Sequence, residues 1–295
     1  MMTTGRAKKP AGVWPDTGCR LTEGDFSRLS RLIYDACGIR MSPSKKTMLE
    51  SRLQKRLRTL GMSSFAQYCG YLFSAEGAEQ ETTRMIDLVT TNKTDFFREP
   101  DHFTFLAGNV LPAWVRHHSG TGPRPFRVWS AGCSTGEEPY TLAMVLQQFA
   151  EQCPGFDFRV LATDISTRVL ETARRAVYPE HRSAPVPTDM KKNYLLRGKG
   201  DQEGFVRVVP EIRKKVEFRW LNFMAEDFGI HDPFDVIFCR NVIIYFDRPT
   251  QEYLLRRFCG HLSAAGHLFL GHSETLNGYD LSLKAVYPTV YRNDR

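Results

Sequence analysis

The feature that most constrains this chain is a change of period along it. Residues 21–89 place apolar side chains at helical spacing, whereas from residue 103 short apolar runs of strand character alternate with helical segments. In the first part, Thr22 and Asp25 read as a capped helix start ahead of Phe26, Leu29, Leu32 and Ile33. A second helix is predicted from Pro43 to Leu60 on the stripe Leu49, Leu53, Leu57 and Leu60, with Gly61 ending it. Two shorter helices are predicted over 65–72 and 79–89. In the second part, strands are predicted over 126–130, 158–163, 216–221, 234–239, 267–271 and 286–291, with helices over 139–150, 167–176 and 250–261. Such alternation specifies an α/β fold, a doubly wound and mostly parallel sheet with helices on both faces. Residues 181–212 break the rhythm: a glycine-rich turn from Arg197 to Gly204 lies between two strand-like runs and predicts a small antiparallel insertion. The expected organisation is a disordered leader (1–20), a helical domain (21–89), a linker (90–103) and an α/β domain (104–295).

Composition narrows the class. With 20 Phe, 11 Tyr and 4 Trp in 295 residues, the chain can bury a sizeable core, which excludes wholesale disorder. No run approaches the ~20 apolar residues of a membrane-spanning helix. The most apolar run, 236–246, is interrupted by Arg240 and Asn241 and reads as a buried strand. The basic amino terminus lacks the apolar stretch of a secretory signal. Seven cysteines, an odd number with no C-x-x-C pair, fit neither a disulfide framework nor a metal site, so reduced thiols in a cytoplasm are expected. The net charge of +7 draws acidic partners, whether nucleic acid, acidic protein or acidic cofactor.

Three segments carry chemistry. Residues 127–140 run from a strand through a loop of small residues (Ala131, Gly132, Ser134, Gly136) into a helix start, so a ligand can approach the backbone closely. Glu137 and Glu138 stand at that helix start, where they would repel a pyrophosphate; a ligand with an ammonium and a sulfonium fits better. Asp164 ends the next strand, where a carboxylate can take vicinal ribose hydroxyls, or can simply cap the following helix. Arg240 and Asn241 end the buried strand at the edge of the sheet where open α/β folds place ligands. The linker, Thr90 to Pro100, is polar and then aromatic, unlike a bland spacer.

The ordered set NKTDFFRE (92–99), SAGCSTGEEPYTLA (130–143), ATDIS (162–166), FDVIFCRNVIIYFD (234–247) and GHSE (271–274) resembles the bacterial chemotaxis receptor methyltransferases of the CheR type, from residue 21 to the carboxyl terminus. That resemblance implies an S-adenosylmethionine-dependent enzyme that methylates glutamate side chains of methyl-accepting chemotaxis receptors and releases S-adenosylhomocysteine. It implies that Asn92, Thr94 and Arg98 reach over the cofactor, that Glu138 with Gly132 behind it holds the methionyl end, and that Asp164 takes the ribose. Asn222 and Phe223 would flank the adenine, Arg240 and Asn241 would line the same crevice, and Tyr245 with Arg98 would sit near the transferred methyl. Adjacent Glu137 leaves the choice of Glu138 open. Partners implied are the receptors' methylated helices and, in some members, a carboxyl-terminal receptor tail added to the edge of the small β-subdomain. A cytoplasmic monomer that does not enter the membrane is expected.

The chemistry agrees. A glutamate of pKa roughly 4.3 is already ionised near neutral pH, so no general base and no metal is required. The histidines, including the His117–His118 pair expected in a loop and His272, read as structural. The substrate is acidic, and the predicted helix over 43–60 offers a basic docking face, with Arg52, Lys55 and Arg56 as its docking residues. The rival reading, a nucleic-acid methyltransferase, lacks its signatures: Cys239-Arg-Asn-Val replaces the Asn/Asp-Pro-Pro-Tyr/Phe of adenine enzymes, and Cys153-Pro154 reverses the Pro-Cys of cytosine enzymes. A third reading, a non-catalytic cofactor-binding adaptor, is opposed by the presence of Arg98 and Tyr245.

Overall fold

The computed structural model describes residues 19–118 and 124–294; of the expected leader, residues 1–18 lie outside the described residues. The amino-terminal domain consists of α1 (Glu23–Cys37), α2 (Lys46–Leu60), α3 (Phe65–Leu72) and α4 (Ala75–Val89). The Thr22 side chain accepts from the Asp25 amide and caps α1, as the sequence predicts. Gly38 ends α1 in a left-handed conformation, and a Cβ there would lie 2.8 Å from the Met224 sulfur of the other domain. Glycine at this position therefore serves both the turn and the close approach of the domains. A 3₁₀ turn (Pro43–Lys45) precedes α2, in place of one continuous helix from Pro43. Phe26, Leu29, Ile33, Leu49, Leu53, Leu57, Phe65 and Tyr68 build this domain's own core.

Beyond the linker the chain forms α5 (Pro100–Phe105), a π-helical turn (Leu106–Val110) and α6 (Leu111–His118). This helical run is absent from the sequence reading, and it places His117 and His118 at a helix end rather than in a loop. The order then runs β1 (Phe126–Ala131), α7 (Glu137–Gln152), β2 (Phe158–Asp164), α8 (Thr167–Arg175), β3 (Val177–Pro179), α9 (Thr188–Tyr194), β4 (Leu195–Arg197), β5 (Phe205–Val208), α10 (Pro210–Arg213) and β6 (Val216–Trp220). It closes with β7 (Phe234–Cys239), α11 (Arg248–His261), β8 (Leu262–Leu270), β9 (Leu283–Tyr287) and β10 (Val290–Asn293).

Among the described residues, seven strands form one sheet in the order β6-β2-β1-β7-β8-β10-β9, parallel except at β10. The strand period of two is visible in the packing. Val128, Val160, Val236 and Phe238 enter the core on one face, and Trp129, Leu161, Ile237 and Cys239 enter the core on the other. The order reverses between β1 and β7, the switch point at which α/β sheets open a ligand crevice. The predicted insertion is a separate antiparallel sheet, β3-β5-β4, whose first strand starts before the expected boundary. The apolar run 236–246 is corrected: β7 stops at Cys239, and Ile243–Tyr245 is a 3₁₀ turn. The single strand expected over 286–291 is instead the hairpin β9–β10.

Candidate functional site

A cavity of about 290 Å³ lies between the helical domain and the carboxyl ends of β1, β2, β6 and β7. Every residue given a cofactor or catalytic role above lines it: Asn92, Thr94, Arg98, Gly132, Glu138, Asp164, Asn222, Phe223, Arg240, Asn241 and Tyr245. They come from five separated segments, brought together because parallel strands end at one edge. Cys37, Ile39, Met41, Lys45 and Met48 of the helical domain form the facing wall, a contribution that sequence reasoning missed.

The small-residue loop follows β1. Gly132 has φ +84°, and a Cβ on it would lie 2.5 Å from Val242 Cγ2, so the loop closes only with glycine there. Asp164, at the end of β2, is 8 % exposed. Its two oxygens accept the Ser134 amide (2.8 Å) and the Ser166 amide (2.9 Å), leaving lone pairs on both. Burial raises its pKa to about 6 against the opposing pull of those amides.

The two glutamates at the start of α7 diverge. Glu138 faces the cavity, accepts from Ser130 Oγ (2.7 Å) and receives Arg240 Nε (2.8 Å). Glu137 points away: it is wholly buried, accepts from Thr135 Oγ1 (2.6 Å) and makes an ion-pair contact of 2.8 Å with Arg182. Burial holds its carboxyl above the ordinary range.

Arg240 is almost entirely buried. Its Nη1 donates to the Arg98 carbonyl (2.7 Å) and approaches Glu99 Oε2 (3.4 Å) and His102 Nδ1 (3.3 Å). Burial first, and Arg240 second, push the His102 imidazole down to about 4, so it is neutral and can accept at Nδ1. Glu99, His102 and His272 bring ligand atoms within 4.8 Å of one another. The Arg240 guanidinium already approaches two of these residues, so a metal ion would meet a fixed positive charge.

Arg240, Asn241 and Tyr245 ride on the loop after β7, and the loop is held by a residue to which sequence reasoning gave no role. The carboxylate of Glu274, from the GHSE segment, accepts the amides of Gly271 (2.6 Å), Asn241 (2.8 Å), Val242 (2.9 Å) and Ile244 (3.4 Å). An acid three residues after a glycine at the end of a predicted strand was the available signal. Tyr245 is fixed from the other side, where its carbonyl accepts the Arg40 amide and Lys45 Nζ stands 5.4 Å over its ring. Asn222 donates to the Ala36 carbonyl (2.7 Å), tying the end of β6 to α1. Arg98 donates to the Lys93 carbonyl (3.0 Å).

The expected docking residues Arg52 and Arg56 both have internal partners. Arg52 donates to the Val89 and Thr90 carbonyls and to Thr91 Oγ1, holding the start of the linker. Arg56 grips the buried Glu81 through Nε and Nη2 at 2.8 and 2.5 Å, and Tyr68 donates to the same carboxylate. Lys55 and Arg58 lie exposed on α2.

Of the described residues, no helix is long and apolar enough to cross a membrane. The residues present suit S-adenosylmethionine: a buried carboxylate with spare lone pairs for ribose, a second acid for the methionyl end, and apolar Ile165, Leu221 and Phe223 for a purine. The all-α domain model of the CheR methyltransferases matches residues 24–90, and the SAM-binding domain model of the same family matches residues 92–291. The chain is 39% identical over 275 residues to a chemotaxis protein methyltransferase of Borreliella burgdorferi, covering 93% of this chain and 95% of the relative. It is 41% identical over 284 residues to chemotaxis protein methyltransferase 2 of Pseudomonas aeruginosa (96% and 97% covered), and 41% identical over 271 residues to the chemotaxis protein methyltransferase of Escherichia coli (92% and 91%). With both domain models matched in order, the chain belongs to the CheR methyltransferase family and uses S-adenosylmethionine.

Proposed function

We propose that this methyltransferase esterifies glutamate side chains on the helices of chemotaxis receptors. The observation that carries the reading is the cavity itself: a crevice with Asp164 and Glu138 on the sheet side, and with Arg98, Lys45 and Tyr245 also on its lining, open to a carboxylate from outside. S-adenosylmethionine, when bound, supplies a methyl group on a sulfonium to the substrate carboxylate, the S–C bond breaking as the ester C–O bond forms. Asp164 would hold the ribose hydroxyls, Glu138 the methionyl end, and Asn222 and Phe223 the adenine.

Because the nucleophile is already ionised, the chain's residues need only align it and exclude water. No base with a pKa near 7 is called for. Arg98, and Lys45 beside Tyr245, supply positive charge where an acidic side chain must enter, and the Tyr245 ring face favours a cationic methyl donor. Arg98 must orient the carboxylate without stabilising its ground state more than the transition state. Docking of the acidic receptor helix falls to the exposed Lys55 and Arg58 together with Lys45 at the cavity mouth. The β-subdomain is a second receptor contact. Its edge strand β4 exposes Leu196 beside main-chain groups that a receptor tail peptide can pair with.

The test is transfer of labelled methyl into receptor-containing membranes, with RNA and DNA as alternative substrates. The expected product releases its label as methanol in mild alkali, as a carboxyl ester does. Label that enters nucleic acid, or that resists alkali, would overturn the reading.

A further inference from the structure

The linker over the cavity is held by its carbonyls. Arg52 of α2 binds those of Val89 and Thr90, Arg98 that of Lys93, Arg240 after β7 that of Arg98, and Arg182 that of Thr94 (2.7 Å). Three of these donors belong to the cavity or to the helical domain. Arg182 does not. It lies in the turn Glu180–Ser183 immediately after β3, at the root of the β-subdomain. The same guanidinium pairs with the wholly buried Glu137 at the start of α7.

A second contact runs from the same root. Tyr178 in β3, 1 % exposed, donates its hydroxyl to the Thr135 carbonyl (2.8 Å) and sets its ring edge-on to Phe96 of the linker at 5.0 Å. One short strand thus grips both the linker and the small-residue loop, the two segments that flank the methionyl end of the crevice.

We propose that Arg182, supported by Tyr178, is a positioning residue for cofactor binding: the root of the β-subdomain holds the linker closed over the crevice. This rests on the reading that residues 92–98 cover the cofactor. The geometry makes the β-subdomain part of the cofactor site's frame as well as a surface for partners. Arg182 touches no reacting atom, so its effect falls on the affinity for cofactor and not on the rate once cofactor is bound.

Truncating Arg182 alone would strand the Glu137 charge in the interior and could unfold the protein, so the test is made in a Glu137→Gln background. Adding Arg182→Met to Glu137→Gln should weaken S-adenosylhomocysteine binding, measured by calorimetry, about tenfold, the scale of one lost hydrogen bond from a charged donor. The Michaelis constant for S-adenosylmethionine should rise in step, while turnover at saturating cofactor and the Michaelis constant for receptor stay within about twofold. Arg182→Lys in the same background should recover only part of the affinity, because an ammonium can donate to the Thr94 carbonyl but lacks the guanidinium's planar fork. Unchanged affinity overturns the proposal, and so does a loss matched by a fall in the fraction of active sites. Asp164→Ala serves as the reference. If it weakens binding while the Arg182 variant does not, only the positioning role fails; if neither does, the assignment of the crevice fails.

Discussion

Glu274→Gln should destabilise this protein far more than an isosteric change at a non-catalytic residue ordinarily does. Each carboxylate oxygen of Glu274 accepts two main-chain amides: Oε2 those of Gly271 and Asn241, Oε1 those of Val242 and Ile244. The side chain is 4 % exposed, so water cannot replace what is lost. A glutamine must turn an NH₂ group toward one of the two pairs, removing two acceptor bonds and opposing donor to donor. Hydrogen bonds to a charged acceptor contribute about 1.5–3 kcal/mol each, so two of them set a loss of about 3 kcal/mol even after local relaxation.

That is a sizeable share of the roughly 5–15 kcal/mol that stabilises a typical domain. The damage should concentrate on the loop carrying Arg240, Asn241 and Tyr245. Asn241 sits at φ 58°, a conformation that a non-glycine residue keeps only when its surroundings impose it. Urea unfolding followed by tryptophan fluorescence gives the stability change, and S-adenosylhomocysteine titration gives the effect on the loop. A Gln variant within about 0.5 kcal/mol of the parent, on the scale of ordinary surface substitutions, with unchanged affinity would refute the account of Glu274 as the loop's anchor.

Further outcomes are expected at Asp164, at Arg98 and along α2. Burial places Asp164 at about 6, above its unfolded value, so this group makes the free protein lose stability as pH rises from about 4 through 6. A ribose needs the ionised form as acceptor, so affinity for S-adenosylhomocysteine should fall as pH drops below about 6, and Asp164→Asn should weaken binding and flatten that limb. Arg98→Lys keeps the charge but loses the planar fork, and should lower turnover tenfold or more, on the order of a lost positioning contact, with a smaller change in cofactor affinity. Charge reversal of Lys55 and Arg58 together should raise the Michaelis constant for receptor, most at low salt, whereas Arg56→Ala should instead lower stability by about 3 kcal/mol by leaving the Glu81 charge buried and unpaired.

The parallel sheet was legible because each central strand is a β-rich run whose alternate residues feed two cores, a pattern that local sequence carries. Legibility failed where one residue's backbone overrides the run. Asn241 turns left-handed inside the apolar stretch 236–246 and ends the strand, and Thr289, at φ 54°, folds what reads as one strand into a hairpin. The helical run 100–118 was missed because Pro112 and Gly108 interrupt its pattern; the first sits one residue into α6 and the second within a π-helical turn. In the site, the lining residues of the linker and of the sheet side were reachable from ordered motifs, and the wall from the helical domain was not. The anchoring roles of Arg52, Arg182 and Arg240 were not, because four of the acceptors they grip are main-chain carbonyls, at residues 89, 90, 94 and 98, and a carbonyl has no signature in a sequence.

The basic helix α2 shows how much further simple geometry reaches. Arg52 and Arg56 are one turn apart and do share a side, but spacing alone does not say which side that is. The buried stripe does. With about 100° per residue and Leu49, Leu53 and Leu57 marking the buried direction, Arg56 falls about 60° from the stripe's centre and Arg52 about 100°, while Lys55 and Arg58 fall about 140–160° away. An arginine at the border of a buried stripe can lay its stem along apolar surface and deliver its guanidinium to whatever polar group the neighbouring element presents. Here those groups are the buried Glu81 of α4 and the carbonyls at the end of α4. The same charges that look like a docking face therefore divide by angle, the inner pair fixing the linker and the helix packing, the outer pair remaining exposed on the surface.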